Sequence, residues 1–221
     1  MFESRFICIC GLPGIGSVGK VATDYLVTAL ECSAILPFFS HSFPPQVMVS
    51  LGLAKLMNAQ LLRPKQRDNL LILSGDAQPL DVLGMHELAG NILQAIKKQG
   101  VTDVITLAAY VGETNESVLG AATDPDGAAA LSEQKIPLLR GGAIGGLNGL
   151  LAGMAPLYDL RGYCILGASS GSDPVDIRAA SNLLGAINEL LHLDIDVTLL
   201  EPVIEEEEEV AEAEEVDMNY I

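Results

Sequence analysis

Residues 11–20, GLPGIGSVGK, carry the densest chemistry-bearing pattern in the chain. Gly14-x-Gly16-x-x-Gly19 has the spacing of a dinucleotide-binding turn, and Gly14 to Lys20 nearly has that of a P-loop. In both, glycines let backbone N–H groups close on a phosphate at the start of a helix. Each pattern lacks a partner here. A P-loop places Ser or Thr directly after its lysine to hold magnesium, and Val21 stands there instead. A dinucleotide turn is followed by an acid at the end of the second strand, where this chain has Leu36 and Pro37. Two readings stay open: an anion site at the helix start, or glycines that permit a tight turn and close packing.

Three further small, polar loops recur: Ser74-Gly75-Asp76-Ala77-Gln78, residues 141–149, and Ser169-Ser170-Gly171-Ser172-Asp173. In a parallel α/β sheet such loops gather at the carboxyl ends of the strands, where ligands bind. An anion site there draws on Gly14, Gly16, Gly19, Lys20, Asp76, Ser169 and Ser170. Residues 167–171 also match the G-x-S-x-G nucleophile elbow. A triad then needs a later acid followed by a histidine on separate loops, and only His192 follows, at the end of the next helical stretch. His86-Glu87 lacks the second histidine of a zinc helix, and the three histidines are widely separated. Cys8 and Cys10 share one face of a strand-like run and read as small buried hydrophobes. No nucleophile, base and oxyanion device occur together, so we expect no catalytic residue, no metal and no cofactor. The alternative is a nucleotide- or phosphate-binding enzyme that uses the glycine-rich loop 11–20.

These loops need elements to position them, and the hydrophobic pattern supplies strands and helices in alternation. Residues 6–10 are apolar throughout and read as a buried parallel strand. Val18, Val21, Ala22, Tyr25, Leu26 and Ala29 then share one helical face, and residues 34–38 return to strand. Residues 47–74 read as a hairpin or meander, with short runs at 47–50, 60–63 and 69–73. Asp81 caps a helix with Met85, Leu88, Ile92 and Ile96 on its apolar side, ended by Lys97, Lys98 and Gly100. A strand at 103–109, a capped helix at 124–134, a short strand at 136–139, a small-residue helix at 146–157 and a strand at 163–166 follow. The last helix takes Asp173 as cap and Pro174 in its first turn. The order predicts a three-layer α/β/α sandwich with a mostly parallel sheet.

The chain has 221 residues, 49% of them hydrophobic but only 5% aromatic, with 22 glycines, which suits one aliphatic, turn-rich α/β domain. Its formal charge is −17, and ten of its 29 acids fall in residues 201–221 beside no base. Such a chain repels phosphate backbones, so no nucleic acid is expected as a partner. Residues 32–54 and 141–158 carry no charge, but prolines, serines and glycines interrupt them, so no membrane span is expected. The start MFESRF lacks the pattern of a signal peptide, and four cysteines without C-x-x-C suit a reducing, cytoplasmic setting. The expected division is a body of residues 1–200 and a solvated acidic tail of residues 201–221 that ends in Met218, Asn219, Tyr220 and Ile221.

With GLPGIGSVGK, LSGDAQP at 73–79, GGAIGGLNGLL at 141–151 and GASSGSDP at 167–174 in this order, the chain resembles the proteasome assembly chaperone family, particularly its archaeal members. The resemblance spans residues 3–200. It implies an α/β fold similar to nucleoside phosphorylases without their catalytic residues, and self-assembly into small homo-oligomers. It also implies a C-terminal tail ending in hydrophobic-Tyr-any that docks between α-subunits of the 20S proteasome ring. Tyr220 and Ile221 match that ending; Asn219 departs from it, with Met218 displaced by one position. Mean hydropathy is +0.36, high for a monomer, and the oligomer surface is expected in residues 146–157 or 47–74.

Overall fold

The computed structural model describes Phe2 and residues 5–200. The tail of residues 201–221, with Met218, Asn219, Tyr220 and Ile221, lies outside the described residues. Among the described residues nine strands form: β1 (Ile7–Gly11), β2 (Ser33–Phe38), β3 (Val47–Ser50), β4 (Leu53–Leu56), β5 (Ala59–Arg63), β6 (Leu70–Gly75), β7 (Asp103–Tyr110), β8 (Val118–Ala122) and β9 (Arg161–Ala168). Seven of them make one sheet in the order β2-β5-β6-β1-β7-β9-β8. Five of the seven run the same way, and β5 and β8 are reversed against their neighbours. The α/β layering is as expected, but the sheet is mixed: its three central pairings are parallel and its three outer ones antiparallel.

Helices α1 (Val18–Ala29), α2 (Val82–Lys98), α3 (Pro125–Glu133), α4 (Gly146–Met154) and α5 (Ile177–Leu191) cover both faces. The pleat of β1 sorts the layers. Ile7 and Ile9 join Val18, Ala22 and Leu26 of α1 and Leu183, Leu184 and Ile187 of α5 in one core. Cys8 and Cys10 join Leu88, Ile92 and Ile96 of α2 and Leu147 and Leu151 of α4 in the other. A fully buried leucine of this kind stabilises by about 1.5–3 kcal/mol, so two such layers flanking β1 account for its place at the sheet centre. Beneath it, the fully buried Asp103 accepts from Arg5 at 2.6 Å and from the Thr102 hydroxyl at 2.6 Å. Arg5 also donates to the Tyr163 hydroxyl at 2.9 Å, which fastens the chain start to β7 and β9.

The caps at Asp81 and Asp124 form as the sequence predicts: each carboxylate accepts a backbone N–H, from Gly84 and Gly127, at 2.8 Å. Each such cap contributes about 1 kcal/mol. The α5 cap differs. Asp176, three residues beyond the predicted Asp173, accepts from Ala179 N–H at 2.9 Å. The run at 136–139 is a single parallel bridge, Leu138 to Gly120, and the strand beside it is β8. The 47–74 segment divides: β5 and β6 pair antiparallel inside the main sheet, while β3 and β4 form a separate two-stranded ribbon.

Candidate functional site

The loops that leave the carboxyl ends of β1 and β6 meet the N-terminal end of α4, and the loop after β9 meets the loop after β1. They are fastened to one another by three sets of hydrogen bonds. Asn148, near the start of α4, donates to Leu12 carbonyl and accepts from Leu12 N–H, each at 3.2 Å. Gln78, after β6, donates to Pro13 carbonyl and accepts from Leu147 N–H. Asp176 N–H donates to Gly16 carbonyl at 2.8 Å, and the carboxylate of Asp176 accepts from the Ser169 hydroxyl at 2.7 Å. Burial pushes the Asp176 pKa upward. The Ala179 N–H, the Ser169 hydroxyl and the charge of Arg178 outweigh that effect and hold it below the usual carboxylate value.

The glycines of the loop serve this packing. A Cβ on Gly19 would stand 2.1 Å from Leu107 carbonyl, so α1 rests against β7 only because residue 19 has no side chain. Gly16 has φ 56°, a left-handed conformation that glycine adopts without strain. Thr23 donates from its hydroxyl toward Gly11, Gly19 and Lys20 carbonyls and seals the turn from inside α1.

Between these loops lies a crevice of about 550 Å³, lined by Gly14, Gly19, Gln78, Tyr110 and Asn148 and by residues 141–146. No charged side chain lines it among the described residues. Lys20 turns away, pairs with Asp24, and joins Asp76 in a separate cavity of about 360 Å³ beside β6. Asp24 also accepts from Ser74 hydroxyl at 2.6 Å, and Asp76 accepts from Asn58 N–H at 3.0 Å. The seven candidate anion-site residues are therefore divided. Gly14 and Gly19 face the crevice, Lys20 and Asp76 face the other cavity, and Ser169 is bound to Asp176. Ser170 accepts from Ser172 N–H at 3.2 Å within its own loop, and Gly16 is buried under Asp176. An uncharged crevice offers backbone groups to a neutral polar ligand and offers a phosphate no counter-charge.

The elbow serine Ser169 reaches the N-cap of α5, while His192 caps the opposite end, so 15 residues of helix, about 22 Å, separate them. Cys8 and Cys10 are fully buried with their sulfurs 3.7 Å apart. The hydrogen bond with Cys8, together with burial, raises the Cys10 thiol well above its ordinary pKa, which makes a thiolate there unfavourable. Among the described residues no three His, Cys, Asp or Glu side chains group to hold a metal ion. No helix among them is long and apolar enough to cross a membrane. Sequence reasoning placed Gln78 and Asn148 in the recurring loops without giving either a role, because their partners lie 65 or more positions away along the chain.

The family model described as the PAC2 family matches residues 8–215. An uncharacterised protein of Methanocaldococcus jannaschii is 33% identical over 201 residues, which is 88% of this chain and 77% of that one. Among solved structures, PbaB of Pyrococcus furiosus, an archaeal proteasome activator, is 33% identical, with a TM-score of 0.81 over 96% of this chain and 95% of its own. PbaA of the same organism, an archaeal homologue of proteasome-assembly chaperone, is 27% identical, with a TM-score of 0.79 over 97% and 89%.

Proposed function

Because this chain belongs to the PAC2 family, we propose that it is a non-enzymatic scaffold for the proteasome, working in the cytoplasm as an assembly chaperone or activator. In this reading the body, residues 1–200, forms a homo-oligomer and presents acidic tails, residues 201–221, to the α-subunits of the 20S particle. The likeness to PbaB carries it, because one third of the residues agree across 96% of the chain. The separation of Lys20 from the glycine crevice supports the same choice over a nucleotide- or phosphate-binding enzyme.

The tail has the chemistry for such docking. Tyr220 offers a ring with a polar tip, and Ile221 offers an apolar side chain beside it. Met218 and Asn219 precede them, behind the acidic run 205–209. A groove with a basic rim would receive this ending. One tail binds weakly, and several tails on one oligomer gain through effective concentration, by about 10²–10⁴ where the geometry allows.

Co-sedimentation with 20S particles and with isolated α-rings tests the proposal, using the full chain beside one ending at Asp217. We expect the full chain to bind and the shortened chain to lose binding with an unchanged melting temperature. Equal binding by both would remove the tail mechanism. Binding to free α-rings marks the chaperone role, and faster peptide hydrolysis by complete particles marks the activator role.

A further inference from the structure

We propose that the β3–β4 ribbon is an arm by which one copy of this chain holds a second copy. The proposal rests on the homo-oligomer reading above and assigns its surface. All eight residues of the two strands are exposed. Their two-residue turn, Leu51-Gly52, has φ values of 51° and 77°, the geometry of a tight type I′ hairpin. That turn favours Asn or Gly at its first position, yet a leucine stands there, fully exposed at 100%. A two-stranded ribbon is marginally stable alone in water, and this one points apolar side chains into it.

The two faces of the arm differ. Met48, Ser50 and Lys55 overlook the polar cavity that holds Lys20, Asp24 and Asp76. Val47, Val49 and Leu56 lie on the other face, and Val47 and Leu56 continue into an open groove of about 570 Å³ floored by Phe39, Phe43, Pro44 and Pro45. Arm and groove are neighbours on one patch. Nine of the 16 large exposed hydrophobic residues among the described residues lie between positions 35 and 56. The exposed apolar surface is thus concentrated in this segment.

Charge identifies the occupant. The chain carries −17, so two copies repel wherever their acidic surfaces meet, but residues 32–54 contain no Asp, Glu, Lys or Arg. This uncharged stretch lets two identical acidic bodies approach. A basic partner would find no carboxylate on it, since the one charged residue on the arm is Lys55. The edges of the main sheet are closed to strand addition. Pro37 and a register shift between Ala34 and Leu36 interrupt β2, and the bridge from Leu138 covers β8. A patch that holds both an arm and a receiving groove is self-complementary, so the unit is a reciprocal pair about a two-fold axis.

Sedimentation equilibrium tests this with the full chain, a Val49→Asp/Leu51→Asp variant, a Val49→Lys variant, and Leu157→Asp on the exposed residue after α4. The expected mass of the full chain and of Leu157→Asp is at least twice 23.3 kDa. Both arm variants should self-associate at least tenfold more weakly with unchanged circular dichroism. The two opposite charges guard against an effect of one sign. A full chain that stays monomeric, or folded arm variants that keep its mass, would overturn the proposal. A monomeric full chain whose arm variants lose the 20S ring would give the arm to that ring and overturn it too. The chain ending at Asp217 separates the two readings: if it is oligomeric yet still binds the ring, the tail mechanism fails and the arm stands.

Discussion

The glycine loops at the carboxyl edge of the sheet and the β3–β4 ribbon sit at opposite ends of one scale. In the loops the main polar side chains are spent on neighbouring groups: Asn148 and Gln78 on the backbone of Leu12, Pro13 and Leu147, and Asp176 on the Ser169 hydroxyl and Ala179 N–H. In the ribbon no residue is buried and Leu51 touches only solvent. The loops look like chemistry in sequence and are joinery in structure. The ribbon carries no motif, only apolar residues with Ser50 and Lys55, and is the part left free to meet something else.

Substitutions can break this contrast, and the largest effect belongs to the loops. Gly19→Ala puts a Cβ against Leu107 carbonyl, which forces α1 off the sheet. We expect a loss of about 3 kcal/mol or more by denaturant unfolding, or no folded protein at all. Wild-type stability in that variant would refute the packing role. Asn148→Ala leaves the Leu12 N–H and carbonyl buried without their partner, for a loss of about 2–4 kcal/mol. Wild-type stability in that variant would refute the fastening role of Asn148.

Ser169→Ala removes one hydrogen bond from Asp176 and should cost about 1 kcal/mol at neutral pH. The pH profile sharpens this. The folded-state pKa of Asp176 is depressed, so its contribution is complete above the unfolded value of about 4 and is lost as pH falls through the lower native value. Asp176→Asn should therefore flatten the acid limb of the stability curve below about pH 4, and an unaltered limb would show that the carboxylate does not carry it. The smallest effect is expected in the ribbon: Leu51→Asp should change folding stability by no more than about 0.5 kcal/mol. A larger loss in the isolated monomer would mean that the ribbon supports its own body.

Local signals made much of the fold legible. The apolar run at 6–10, the 3–4 spacing in α1 and α2, and the caps Asp81 and Asp124 are each written within a few neighbouring residues. What escaped depends on distant partners. Val118–Ala122 is short and rich in small residues, and it becomes a strand only through antiparallel pairing with β9. The ribbon was half visible, because Leu53–Leu56 lacks alternation and is defined by its partner Val47–Ser50. The candidate site failed in the same way. Glycine spacing fits a phosphate cradle and a helix-to-strand contact equally well, and only the position of Leu107 carbonyl distinguishes them. Gln78 and Asn148 carry no local mark, since a lone amide side chain says nothing about a backbone group 65 to 136 residues away.

The sheet order also governs how the protein comes into being. Strand β1 is made before both β6 and β7 and lies between them, so both neighbours are still missing when it leaves the ribosome. At about 5–20 residues per second, the nascent chain waits roughly 5–20 s before Tyr110, the last residue of β7, is joined. Throughout that interval Ile7 and Ile9 have no closed sheet to enter. The order of synthesis thus runs against the order of burial, and the youngest chains, more than the finished ones, are those that need shelter.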